Sequence, residues 1–375
     1  MKYYLIAGEA SGDLHAANVM HQLRNIDHDA EFRFFGGELM QKAGGTLVKH
    51  YREMAFMGLV KVLANLGKIK KNFLLAEKDL LEFQPDVLIL VDYPGFNLRM
   101  AEFAKKQGIR VYYYISPKIW AWKTGRIKKI KKWVDEMFTI LPFETKFYEQ
   151  FDYPVKYVGN PSLDEVYNRS NKDETFETFT VRKGLGERKI VALLAGSRRQ
   201  EIARILPVMA GVVDRFPDYQ FVLAGAPSID ESFYRTILNG RNIPIVFNET
   251  YELLQQADAA LVTSGTATLE TAIMNVPQVV CYKMEFGRFM TLIRPLILKI
   301  PFFSLVNLIV NREIVKELFQ EKCNPDNITE ELDLILNDSA HRAEVLANYE
   351  EMRNILGGPG GAIRAAEAIY KKLTS

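Results

Sequence analysis

The sequence predicts an α/β protein of two doubly wound, parallel-sheet (Rossmann-like) domains facing a cleft, closed by a C-terminal helix. Three observations predict it. Short β-rich runs alternate with longer helical patterns through the first half, the alternation restarts at Lys189, and each half opens with a strand that runs into a turn of small residues.

Taken in order, Tyr3 to Ala7, Glu31 to Phe35, Val87 to Val91, Val111 to Ile115 and Met137 to Leu141 are the strands of a first domain spanning 1–167. Residues 168–188 are polar, charged and almost free of aliphatic side chains until Val181, which reads as an interdomain connection. A second domain over 189–345 carries strands at Lys189 to Leu194, Phe221 to Ala224, Ile245 to Phe247, Ala259 to Val262 and Gln278 to Tyr282. Residues 346–375 are helical. Gly357-Gly358-Pro359-Gly360-Gly361 breaks them, leaving a last helix free to return to the first domain. Parallel strands aim their carboxyl ends at a crevice, so the active site is expected between the halves.

Composition removes several classes. The 48 basic and 46 acidic side chains leave a net charge of +2, which argues against extended contact with nucleic acid. Cys281 and Cys323 are too few and too distant in sequence for a disulfide framework or zinc knuckle, which suits the cytosol. The N-terminal apolar stretch is shorter than a signal-peptide core, and no segment approaches the ~18 apolar residues that span a bilayer. Neither Gly-x-Gly-x-x-Gly nor Gly-x-x-x-x-Gly-Lys-Ser/Thr occurs, which weakens dehydrogenase and P-loop readings. The five histidines show no ligand spacing, and Asp27-His28-Asp29 lies in a polar turn, so no metal and no cofactor is expected.

Two turns can receive an anion. Gly8-Glu9-Ala10-Ser11-Gly12-Asp13 and Gly196-Ser197-Arg198 each follow a strand, where small residues let a ligand approach the backbone and leave helix N-terminal amides free. A plain tight turn is the even alternative for either alone. Ser264-Gly265-Thr266 opens another helix and can present hydroxyls and amides to a diphosphate, with Glu270 one turn on to accept from a ribose. The plain alternative is an N-cap, less favoured once Arg198 supplies a guanidinium suited to a phosphate leaving group. Asp92 sits at the carboxyl end of the apolar run Val87 to Val91, where a carboxylate is costly unless paired or used, making it the candidate general base. Trp120 and Trp122 flank lysines and suit sugar stacking or, more ordinarily, the core.

Two stretches suit a membrane surface. From Phe56 to Leu75, Leu59, Val62, Leu63, Leu66 and Ile69 recur at helical spacing beside Lys68 and other lysines; Arg288 to Phe303 is more apolar still. Arg126 to Lys132 is a basic run, one Arg and four Lys with Ile127 and Ile130 between them. By composition alone the first two read slightly better as core helices and the third as a solvated face.

Gly8 to Asp13, Phe56-Met57-Gly58, Asp92 to Asn97, Tyr114 to Trp122, Leu141 to Glu144, Gly196 to Arg198, Ser264 to Glu270 and Asn307 to Glu313, in that order, resemble the lipid-A-disaccharide synthases. Ala195, Asn160, Gly95 and Val306 depart from the family pattern. The resemblance implies a GT-B fold and an inverting, metal-independent glycosyltransferase. Its substrates would be UDP-diacylglucosamine and diacylglucosamine 1-phosphate, its products a β-1,6-linked disaccharide and UDP. It places the enzyme peripherally on the cytoplasmic face of a Gram-negative inner membrane, against phospholipid, with a homodimer left open. Carried over, Asp92 deprotonates the acceptor 6-hydroxyl, Arg198 stands beside the nucleotide phosphates, and Glu9, Ser11 and Gly12 line the first-domain turn. Asn307, Arg312 and Glu313 join Gly196, Ser197, Ser264, Gly265, Thr266 and Glu270 in the donor site. Rival readings are a lipid II-type transferase, a UDP-N-acetylglucosamine epimerase, or a non-catalytic nucleotide-sugar-binding membrane protein.

Overall fold

The computed structural model describes residues 1–54, 66–284 and 300–375. The chain divides into two compact units, Met1–Pro161 with Pro359–Ser375, and Ser162–Gly358.

In the first unit, β1 (Lys2–Ala7), β2 (Glu31–Gly36), β3 (Thr46–His50), β4 (Val87–Val91), β5 (Arg110–Tyr114), β6 (Glu136–Thr139) and β7 (Lys156–Tyr157) form one parallel sheet. Its order is β3-β2-β1-β4-β5-β6-β7. The central strands are continuous hydrophobic runs because both faces are covered. On one face lie the helices Ala10–Ile26 and Gly361–Thr374, where Ala16 and Ala17 and then Ala365 and Ala366 are small enough for close packing. The other face carries Leu66–Phe83, Pro94–Lys106 and Ile127–Trp133. Tyr112 Oη donates to the Lys372 carbonyl at 3.0 Å and Arg110 Nη1 to that of Leu373 at 3.1 Å, so β5 satisfies the last turn of the C-terminal helix.

In the second unit, β8 (Lys189–Leu194), β9 (Tyr219–Gly225), β10 (Ile245–Phe247), β11 (Ala257–Thr263), β12 (Gln278–Tyr282) and β13 (Lys316–Phe319) make a second parallel sheet. Its order is β10-β9-β8-β11-β12-β13, and buried clusters again cover both faces.

Residues 168–188 are not a bare connection. They contain the helix Phe176–Lys183, capped by Thr175 Oγ1 accepting from the Thr178 amide at 3.3 Å, and belong to the second unit. Phe179 is fully buried against β8 and β9, while Arg182 bridges Glu174 and Glu249. Phe179 is the main anchor of the segment, with Thr180 buried beside it and Phe176 and Leu185 packed against the same cluster. The final helices also divide: Ser339–Leu356 stays with the second unit, and only Gly361–Thr374 packs on the first.

Of the membrane-suited positions, Leu59, Val62 and Leu63 lie outside the described residues, as do residues 288–299 of the second stretch. Leu66 opens the helix Leu66–Phe83, on which Lys68 is exposed but Ile69 packs against the core. The outward apolar side chains of that helix are Leu74 and Leu75, among exposed Lys70, Lys71 and Lys78. In the basic run, Ile127 and Ile130 are buried and the lysines face solvent. No helix among the described residues is long and apolar enough to cross a membrane.

Candidate active site

Each sheet reverses its winding once, between β1 and β4 in the first unit and between β8 and β11 in the second. Ligands of open α/β sheets bind beyond the carboxyl ends of strands at that reversal. The sequence motifs fall there: Gly8-Glu9 follows β1, Asp92 follows β4, Gly196-Ser197-Arg198 follows β8, and Ser264-Gly265-Thr266 follows β11.

In the first unit, Ala7 and Val91 are register partners, so Glu9 and Asp92 leave neighbouring strands side by side. The chain then does something unusual. Asp92 and Tyr93 both adopt left-handed backbone, with φ of 42° and 44°. For non-glycine residues this costs on the order of 1 kcal/mol or more each and persists only where the surroundings enforce it. They do. Asn97 Nδ2 donates to the carbonyls of Asp92 at 2.8 Å, Val91 at 3.2 Å and Ile6 at 3.3 Å. Tyr113 Oη donates to the Asp92 carbonyl as well, and Tyr93 Oη donates to that of Met54 at 3.0 Å. The Tyr93 ring lies over Gly8, where a Cβ would stand 2.3 Å from ring carbons, so no other residue fits.

The Asp92 carboxyl is pushed up to about 6. Burial is the main cause; the Lys118 charge opposes it, the Glu9 carboxylate adds to it, and the Tyr93 amide lowers it. Ser11 Oγ donates to Glu9 Oε1 at 3.1 Å, and Gly12 is buried against Ala7. Asp13 faces elsewhere: it accepts from the Gly37, Leu39 and Met40 amides and caps the helix Glu38–Ala43. Glu144 has a structural task too. It is 1% exposed and accepts from Trp120 Nε1 at 3.1 Å and the Leu141 amide at 3.0 Å. Burial holds its carboxyl at about 7. Trp120 is thereby fixed in the core, whereas Trp122 is exposed, with Lys123 over its ring at 4.3 Å.

In the second unit, a cavity of ≈ 260 Å³ gathers Gly196, Ser197 and Glu201 from the turn after β8, Gly225 from β9, and Ser264, Gly265, Thr266 and Glu270 after β11. Gly265 has φ of 145°, a conformation closed to L side chains, and nothing stands within 4 Å of where its Cβ would be, so the backbone itself borders open space. The cavity therefore offers the N-terminal end of the helix Thr266–Ile273 on one side and a carboxyl on the other. Glu270 is pushed up to about 7 by burial and by the charge of Glu165, with the Tyr251 hydroxyl opposing.

Four expected residues sit differently. Arg198 does not line the cavity; its side chain is 62% exposed and donates to Glu201 Oε1 at 3.1 Å. Asn307 is fully buried and engaged on every side: Nδ2 donates to Val315 O at 2.9 Å and Glu317 Oε1 at 2.8 Å, while Oδ1 accepts from the Ile314 and Val315 amides. It fixes the loop before β13 and has no free polar atom for a ligand. Arg312 pairs with Glu351 and Asn348 on the helix Ser339–Leu356, and Glu313 borders a separate cavity with Lys316. Polar residue types in a motif did not reveal which way they face. Asp27, from the dismissed Asp-x-Asp, accepts from Tyr3 Oη and the Met1 amino group, both at 2.9 Å. Sequence reasoning missed Asn97 as the residue that sets Asp92, although it quoted the motif; its i+5 spacing across a helix start was the available signal.

Two Rossmann-like units with ligand-suited turns at both reversals make a fold of GT-B type. A solved structure with this fold, UDP-GlcNAc 2-epimerase from Neisseria meningitidis bound to UDP-GlcNAc, matches with a TM-score of 0.62 and 14% identity, covering 100% of both chains. The family model described as lipid-A-disaccharide synthetase matches residues 3–359, so the chain belongs to that family. Among its relatives are the lipid-A-disaccharide synthases of Geobacter sulfurreducens, 36% identical over 98% of this chain and 96% of that one, and of Trichlorobacter lovleyi, 39% identical over 96% and 95%.

Proposed function

We propose that this glycosyltransferase moves diacylglucosamine from UDP-2,3-diacylglucosamine to the 6-hydroxyl of 2,3-diacylglucosamine 1-phosphate, giving the β-1,6-linked disaccharide 1-phosphate and UDP. Asp92 is the general base. The acceptor oxygen attacks the anomeric carbon as its proton passes to the Asp92 carboxylate. The bond to the UDP oxygen breaks with its electron pair leaving on the β-phosphate, so one displacement inverts the centre without a covalent intermediate.

The observation that carries this reading is a carboxyl on a fixed turn: strained backbone at Asp92, its carbonyl held by Asn97 and Tyr113, and the carboxyl pushed up to about 6 by burial. A base close to neutrality combines a large ionised fraction with real proton affinity. On the donor side, amides at Gly196, Ser197 and Gly265 to Thr266 receive the diphosphate, Glu270 accepts from the ribose, and Arg198 exchanges Glu201 for the departing charge. An exposed pair such as Arg198 with Glu201 holds by only ~0.2–1 kcal/mol, so the exchange is cheap. No metal step is needed in this scheme. The protein would work at the cytoplasmic face of the inner membrane, its first unit touching phospholipid through the helix Leu66–Phe83, where exposed Leu74 and Leu75 lie among Lys70, Lys71 and Lys78.

The test is to incubate purified protein with both substrates in detergent plus chelator and follow disaccharide and UDP. Product that appears only on adding a divalent cation would refute the metal-free scheme, and no product would refute the assignment.

A further inference from the structure

A second cavity in the first unit, ≈ 340 Å³, lies beside the Asp92 turn. Pro94 and Gly95, the residues that follow Asp92-Tyr93, form one wall as the first turn of the helix Pro94–Lys106, whose positive dipole end points the same way. Arg99, one turn on, and Arg126 and Lys129 from the adjacent helix region supply three cations. Glu102 also borders the cavity, but it is paired with Lys106 at 2.8 Å.

Among the described residues no carboxylate lies within ion-pair distance of Arg99, Arg126 or Lys129; the Lys129 charge acts on the Glu102 carboxylate, whose bonded partner is Lys106. Arg99 is instead held over the Phe73 ring at 4.2 Å, which braces its guanidinium, and Phe73 stacks on Phe96 at 4.1 Å. Arg126 acts electrostatically on the Tyr113 hydroxyl, the group that donates to the Asp92 carbonyl. The cationic cavity and the proposed base are thus tied to one turn. Three cations gathered at a concave site beside one carboxylate that Lys106 already pairs repel one another and are relieved by an anion.

Resting on the transferase reading above, we infer that this cavity binds the phosphomonoester of the acceptor sugar, with Arg126, Lys129 and Arg99 as its ligands, and so orients the far hydroxyl of the same hexose toward Asp92. The chemistry recognised is a lipid-borne phosphate. An anionic phospholipid headgroup shares it, and the test separates the two.

The experiment compares the unsubstituted protein with Arg126→Gln/Lys129→Gln on diacylglucosamine 1-phosphate and on diacylglucosamine lacking the phosphate, in detergent. Losing two charge-assisted contacts should raise KM for the phosphorylated acceptor roughly tenfold or more, leave KM for the non-phosphorylated acceptor and for the UDP donor within about twofold, and erase the preference between acceptors. The unchanged donor KM also reports an intact fold. Product with the acceptor preference fully retained would overturn the inference alone. Retained preference with lost sedimentation on phosphatidylglycerol vesicles would overturn it in favour of a headgroup. No product from the unsubstituted protein would overturn the transferase reading, and this inference with it.

Discussion

Asn97 holds Asp92 in place: one side-chain amide nitrogen, 2.8 Å from the Asp92 carbonyl and within hydrogen-bond reach of two further strand-end carbonyls, closes the turn on which the carboxyl stands. Asn97→Ala takes this donor from three strand-end carbonyls; that of Asp92 keeps Tyr113 Oη, and a buried carbonyl left unsatisfied costs ~1–3 kcal/mol. Denaturant unfolding should show a loss of that order. Steady-state kinetics should show kcat falling with donor KM unchanged, because Asn97 positions the base and touches no nucleotide. A stability loss with kcat intact would remove it from the mechanism.

Burial raises several carboxyls above their ordinary values: Asp92 to about 6, Glu144 and Glu270 to about 7, and Glu165 and Glu331 in the same direction. A raised folded pKa means the native state binds the proton more tightly than the unfolded chain, so stability falls as pH climbs from the unfolded value through the folded one. Melting temperature should therefore decline between about pH 5 and pH 8. A flat or rising profile over that window would show that these groups are not desolvated as the structure has them.

Arg198 and Glu201 make a complementary pair of variants. Arg198→Ala should weaken UDP binding by roughly tenfold or more, through loss of a charge-assisted contact. Glu201→Gln should tighten it by less than about fivefold, since an exposed ion pair competes by only ~0.2–1 kcal/mol. Calorimetric titration with UDP reads both. Weaker binding by Glu201→Gln would mean that Glu201 contacts the nucleotide itself.

Phe179 tests whether residues 168–188 belong to the second unit's core. Phe179→Ala should cost about 3–5 kcal/mol of unfolding free energy, the range for a buried aromatic. A change near zero would restore the segment to the status of a connection.

Where the sequence was readable, one physical signal dominated. Strands buried on both faces, such as Val87–Val91 and Lys189–Leu194, are continuous apolar runs and stand out from their helices. Three of the four edge strands do not: β3 (Thr-Leu-Val-Lys-His) is only half-buried, β7 has two residues, and β13 mixes Lys and Glu with Leu and Phe, whereas the fourth, β10, is wholly apolar Ile-Val-Phe and was readable. The helix Phe176–Lys183 escaped because a single fully buried side chain, Phe179, secures it. Candidate site residues divided in the same way. The strand-end placement of Glu9, Asp92, Gly196 and Ser264 was legible because strand ends at a winding reversal are fixed by topology. The partners of Asn307 and Arg312 were not legible because facing is a tertiary property: whether an amide meets a ligand or its own loop depends on β13, which the sequence did not announce.

The most direct test is Asp92→Asn assayed beside calorimetric UDP binding. With the proton acceptor gone, disaccharide formation should fall by roughly 10²–10⁴-fold while the dissociation constant for UDP stays within about twofold. Turnover within a few-fold of the unsubstituted protein, at unchanged UDP affinity, would contradict the assignment of Asp92 as the base.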